Sequence, residues 1–222
     1  MAQAQSKPNW FAIGISIVVV VVLVALGGVV VWMNNQATDA GPAPKGELIN
    51  SETGALTYGD GEDTVAVYID FMCPICNQFE QTYGEAMQKA VTDGEITLEY
   101  HPIAILDHYS TGGSEYSSRS ANAMFCVAEK APDKALDYME SLFTNQPAEN
   151  TAGRTDEELA GYAEEVGAGA AADCIADGTY KKWGTAQASK NDIKGTPTVE
   201  VNGERLDMSN STDFQKFTDL IS

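Results

Sequence analysis

Two cysteines that bracket a dipeptide, Cys73-Pro74-Ile75-Cys76, form the chain's clearest chemistry-bearing pattern. Three chemistries begin from that spacing: a zinc clip, an inert disulfide and a redox couple. A structural zinc site needs four ligands in reach. The other two cysteines, Cys126 and Cys174, have no CxxC partner, and the only histidines, His101 and His108, are not at ligand spacing, so no metal site is expected. A bridge across so short a ring constrains the unfolded chain little, which argues against a purely structural pair. A redox couple fits better than either.

The local physics predicts two unequal sulfurs. Pro74 suits the first position of a helix, which puts Cys73 at the N-cap. Free N–H groups and peptide dipoles at that end stabilise a thiolate and pull a thiol below its free value of about 8.5. Cys73 is therefore expected to be exposed and reactive. Cys76 lies one turn inside, on the apolar face, and is expected to be shielded. A substrate thiolate would attack the Cys73 sulfur with Cys76 leaving, and a second substrate thiol would then release Cys73.

The elements that must hold this pair are legible around it. TVAVYIDF, residues 64 to 71, is β-branched, aromatic and apolar on both faces, as in a covered central strand. The helix after it carries Cys76, Phe79, Tyr83, Met87 and Ala90 on one face, with Gly84 as a local weak point. EITLEY, residues 95 to 100, then completes a β-α-β unit. Near the C-terminus come a strand at 198–201, the hairpin signal Asn202-Gly203 and a last helix at about 211–220. The region between has helical stripes, Leu136, Met139 and Phe143, then Leu159, Tyr162, Ala163 and Val166. Thr155 with Glu158 forms a capping box for the second, and Gly167 suits its end. Cys126 and Cys174 fall on separate helical segments of this region. They read as a structural disulfide, against the alternative of two free buried thiols. The fold class is α/β, with a sheet interrupted by a helical insertion.

CPIC opening a helix after a central strand, with Gly195-Thr196-Pro197 far downstream, resembles the DsbA-like branch of the thioredoxin superfamily over about residues 51–222. The resemblance implies a thioredoxin-like fold, Cys73 and Cys76 as catalytic sulfurs, and a cis Thr196-Pro197 loop whose backbone docks substrate. It implies no cofactor beyond the Cys73-Cys76 disulfide, and a quinone-linked membrane protein as the re-oxidising partner. Two positions depart from the family pattern. Strongly oxidising members often carry His where Ile75 stands, so a less oxidising couple is expected. A buried acid often found six residues before the first cysteine is Val67 here. Asp70 could substitute as a proton relay, or could cap the strand end or meet solvent.

Compartment follows from the first third of the chain. FAIGISIVVVVVLVALGGVVV, residues 11–31, is about 31 Å long as a helix and matches a bilayer core. Trp10 and Trp32 flank it, and the run exceeds the apolar core of a cleaved signal peptide. Lys7 precedes the span and the next basic residue is Lys45, which favours a cytoplasmic N-terminus. All 32 acidic residues lie beyond the span and the net charge is −19, which argues against nucleic acid as a partner. Outside the cytosol disulfides persist.

The expected organisation is a cytoplasmic segment 1–10, an anchor 11–31, a linker 32–50, a first thioredoxin-like part 51–105, a helical insertion 106–190 and a second part 191–222. The expected activity is oxidation of cysteine pairs in exported proteins by a membrane-tethered extracytoplasmic oxidoreductase. The rivals are a reductase or isomerase on the same fold and a non-catalytic tethered binding module. His101 and His108 are expected at the surface or in packing, and Trp183 in the insertion's core.

Overall fold

The computed structural model describes Gly27, residues 40–50 and residues 52–222. Its centre is the strand β2 (Asp63–Ile69). Period-two alternation sends Val65, Val67 and Ile69 into the larger core, while Ala66 and Tyr68 join a smaller one with Ile103, Ala188 and Ile193. Both faces of β2 are thus covered, as its continuous apolar run requires.

A parallel neighbour of β2 needs a crossover connection. The helix α1 (Pro74–Thr92) supplies it and leads to β3 (Ile96–Pro102), which pairs with β2 in parallel register, Val67 opposite Tyr100. On the far side of β3 lies the antiparallel edge strand β1 (Leu56–Tyr58). Five helices follow: α2 (Tyr116–Lys130), α3 (Ala135–Thr144), α4 (Asp156–Glu165), α5 (Ala172–Asp177) and α6 (Trp183–Lys190). The chain then returns as β4 (Thr198–Val201), antiparallel to β2, turns through Asn202 and Gly203, and forms β5 (Glu204–Arg205) and α7 (Ser211–Leu220). Both turn residues have positive φ, 52° and 76°, as a type I′ hairpin demands. The strand order is β1-β3-β2-β4-β5.

The inward face of α1 is Cys76, Phe79, Met87 and Ala90, with the Phe79 ring 5.7 Å from that of Phe217 on α7. Gly84 does not break this helix. A side chain there would collide with the Glu80 carboxylate, so the glycine makes room for a half-buried acid. In the insertion, α2 is buried almost all round, from Ser117 to Ala128, and is the helix around which the others pack. A disulfide joins its Cys126 to Cys174 of α5, with Cα atoms 5.7 Å apart. The expected capping box at Thr155 and Glu158 is present in both directions.

One difference from the sequence reading concerns the N-terminal side. Residues 40–50 fall within the folded unit that runs to Ser222, so the later part of the expected linker 32–50 belongs to the domain. Ile49 is buried and bridges Leu56, and the Thr57 amide donates to Leu48 O at 2.8 Å. Apart from Gly27, the expected span 11–31 and the segment 1–10 lie outside the described residues. No helix among the described residues is long and apolar enough to cross a membrane.

Candidate active site

The end of β2 sets the site. Asp70 is fully buried, and its carboxylate accepts the amides of Met72 (2.9 Å), Ile105 (2.9 Å) and Leu106 (3.1 Å). It caps the strand end, as one sequence reading had it, but it does not meet solvent. Burial raises its pKa, against the lowering effect of those amides. Its own carbonyl accepts the Cys73 amide at 3.0 Å, which turns the chain into α1.

Cys73 is the N-cap of α1, in an extended conformation, with Pro74 at the first helical position and no side-chain cap hydrogen bond. Its carbonyl accepts from the amides of Cys76 (3.1 Å) and Asn77 (3.3 Å). Both Cys73 and Cys76 are free thiols in this structure. The Thr196-Pro197 peptide bond is cis, and the Cys73 thiol donates to Thr196 O at 3.3 Å. That loop covers the sulfur. Cys73 is only 6% exposed, less than the sequence suggests, whereas Ile75 beside it is 58% exposed.

The two sulfurs differ, as expected, but chiefly through each other and through burial, with the helix-end amides as smaller contributions. Donation from the Cys76 thiol, chiefly, brings Cys73 down to about 6. Burial works against this, while Thr196 and the backbone amides of Cys76 and Ile75 add to it. Cys76 is wholly buried and pushed well above its ordinary value, first by burial and then by Cys73. The Thr196 hydroxyl is buried and has no hydrogen-bond partner among the described residues. Cys73, Cys76, Thr196 and Pro197 therefore form one cluster, and Cys126 with Cys174 stands apart as a bridge within the insertion.

Two residues were missed in the sequence. Glu80 lies on the inward side of α1, one turn after Cys76. Both its oxygens accept from the Tyr100 hydroxyl at 2.9 Å, and burial raises it to about 7. Val67, the expected place of a buried acid, is core and sits opposite Tyr100 in the sheet. The spacing of Glu80 from Cys76 was a usable signal. Gln146, in the loop after α3, donates to the carbonyls of Cys73 (2.9 Å) and Phe71 (3.1 Å), and no local pattern marks it. His101 is buried, its ring stacked on Tyr68 at 4.2 Å, and His108 is exposed. No group of three or more potential metal ligands occurs among the described residues.

Known proteins share the fold that carries this site. Residues 53–220 match a family model described as thioredoxin. Reduced DsbA from Mycobacterium tuberculosis is 30% identical, with a TM-score of 0.66 over 75% of this chain and 90% of that one. The reduced disulfide bond oxidoreductase DsbG from the same organism is also 30% identical, with a TM-score of 0.64 over 83% of this chain and 91% of that one. MdbA, a thiol-disulfide oxidoreductase from Actinomyces oris, shares the fold at 24% identity, with a TM-score of 0.62 over 83% of this chain and 91% of that one. The serine/threonine-protein kinase PknE of Mycobacterium tuberculosis is 35% identical over 138 residues, which are 60% of this chain. This chain spans about a quarter (24%) of the length of the curated relatives it matches.

Proposed function

This chain belongs to the DsbA-like branch of the thioredoxin family, a family of thiol-disulfide oxidoreductases, and on that premise we propose that it oxidises cysteine pairs in exported proteins. The observation that carries the reading is the inequality of the two sulfurs. Cys73 ionises at about 6 beneath an accessible loop, and Cys76 is buried and driven the other way. In the oxidised enzyme a client thiolate attacks the Cys73 sulfur. The Cys73-Cys76 bond breaks and Cys76 takes the electron pair and a proton. A second client thiolate attacks the client sulfur of the mixed disulfide and expels Cys73 as a thiolate. The client loses two electrons and two thiol protons, and the enzyme ends as the dithiol. A stabilised Cys73 thiolate is a good leaving group, which favours this direction.

Thr196-Pro197 serves as the docking loop, with the Thr196 backbone carbonyl beside the sulfur as its contact point. The Ile75 side chain offers the thiolate neither a hydrogen bond nor a positive charge, so the couple is less oxidising than one with His at that position. The apolar run 11–31 supports a single-pass anchor with the catalytic domain outside the cytoplasm, and a quinone-linked membrane protein then regenerates the disulfide. Trapping tests the reading: Cys76→Ala should accumulate mixed disulfides with client proteins through Cys73. Absence of trapped species, or mapping of the C-terminus to the cytoplasm, would sink it.

A further inference from the structure

Two side-chain amides on α1 and one from the loop after α3 form a string that ends on the reactive cysteine. Gln81 Nε2 donates to Asn77 Oδ1 at 2.9 Å. Asn77 Nδ2 donates to Gln146 Oε1 at 3.2 Å and to Phe143 O at 2.8 Å. Gln146 Nε2 donates to Cys73 O at 2.9 Å and Phe71 O at 3.1 Å. The direction of the string is fixed by chemistry. Backbone carbonyls only accept, so Gln146 must turn its nitrogen to Cys73 and Phe71, and Asn77 must turn its nitrogen to Phe143. Each amide therefore points its donor end toward Cys73, in the same sense as the dipole of α1. The Cys73 carbonyl belongs to the bond before Pro74, whose nitrogen carries no hydrogen. It receives Gln146 in addition to the two helix amides.

We propose that Gln146, reaching out of the helical insertion, is a positioning residue for thiol-disulfide exchange: it fixes the turn that carries Cys73 and aims the positive end of an amide string at it. The inference rests on the oxidoreductase reading above. It assigns the insertion a part in the chemistry, because the group that bonds the Cys73 peptide comes from the loop after α3 and not from the thioredoxin-like part.

Two full-chain variants test it, Gln146→Met, which removes the amide, and Gln146→Glu, which keeps the shape but replaces the donors with acceptors. The readouts are the equilibrium with glutathione and the ultraviolet absorbance of the Cys73 thiolate as pH is varied. Losing a helix-end dipole of this size should shift the glutathione equilibrium about two- to fivefold toward the protein disulfide in Gln146→Met. The shift should be larger, about tenfold or more, in Gln146→Glu, where a negative charge sits beside the turn. The thiolate should form at higher pH in both. A purely structural role would lower thermal stability and leave both readouts where they are. Wild-type equilibrium and wild-type ionisation in both variants would overturn the proposal. Should Gln146→Met not fold, Asn77→Ala decides it: cutting the string behind Gln146 should move the equilibrium in the same sense, and no movement overturns it. A wild-type protein that fails to oxidise a reduced peptide sinks the functional reading instead, and these equilibria remain measurable, so the two failures are separable.

Discussion

Two helices of this protein begin in contrasting ways. At the start of α4, Thr155 accepts the Glu158 amide and the Glu158 carboxylate accepts the Thr155 amide, so the open helix end is closed by oxygens. At the start of α1 the N-cap is a cysteine whose side chain makes no such bond. The amides of Ile75 and Cys76, which a Ser or Thr cap would occupy, face sulfur instead and help to lower its ionisation to about 6. The same backbone groups hold an oxygen cap at one end and, after the Cys76 thiol, add to the stabilisation of a thiolate at the other. The residue at the cap decides which.

The largest effect expected from this contrast follows Cys73→Ser. Serine is a favoured N-cap, so the helix start should survive or tighten while exchange is lost. Oxidation of a reduced peptide should fall to the uncatalysed rate, with the unfolding midpoint no lower than that of the wild-type dithiol form. Persistent oxidation would show that the chemistry lies elsewhere. The wild-type dithiol offers a companion measurement. Alkylation of Cys73 should rise through about pH 6 and level off by neutrality. A rise centred near 8.5, the free-thiol value, would erase the difference between the two caps.

The second effect concerns the other cysteine pair. Cys126 and Cys174 are joined across 48 residues between α2 and α5. In the loop-closure picture that bridge contributes roughly 4 kcal/mol by restricting the unfolded chain. Replacing both with alanine should lower stability by about that amount in denaturant titration and leave the glutathione equilibrium of Cys73-Cys76 unchanged. A shift of that equilibrium would mean that the insertion's bridge takes part in the redox site.

Sequence made the site's frame legible because its signals were local. Pro74 after a two-faced apolar strand located the helix start, Thr155-x-x-Glu158 located another, and Asn202-Gly203 located the hairpin. The last helix was expected at about 211–220 and runs Ser211–Leu220. What escaped depends on contacts distant in the chain. Leu56–Tyr58 is too short to show alternation and is a strand only because β3 pairs with it. Residues 40–50 have a linker's composition, yet Ile49 finds a buried place against Leu56. Gln146 is 73 residues from the carbonyl it meets on Cys73. Cys73 itself was expected in the open, and the loop at Thr196 covers it.

A third, smaller effect belongs to Glu80, the acid that Gly84 makes room for. Burial, chiefly, lifts it to about 7, against the Tyr100 hydroxyl that favours its ionised form. Between the unfolded value near 4.5 and about 7 the folded chain holds a proton that the unfolded chain has released, so this group makes stability fall as pH rises across that window. The oxidised protein is the right one to measure, since its active-site sulfurs do not titrate. Glu80→Gln should flatten the slope and stabilise the protein at pH 8 by about 1–3 kcal/mol. An unchanged slope would mean that Glu80 ionises as an ordinary surface acid.

The smallest effect returns to the oxygen-capped helix. Thr155→Ala removes one half of the reciprocal pair and exposes the Glu158 amide, at a cost of about 1 kcal/mol. Because Thr155 faces solvent and its helix is held by Leu159 and Ala163 in the core, the loss should appear as a lower unfolding midpoint with no other change. Thr155→Ser should restore it, and the glutathione equilibrium should be the same in all three proteins. If Thr155→Ala moved that equilibrium, the start of α4 would be coupled to the start of α1. A link for such coupling exists: Arg154 donates to Asn145 O at 2.9 Å, one residue before Gln146. A null result here therefore also shows that the amide string draws its order from α1 and α3, and not from the helix that follows.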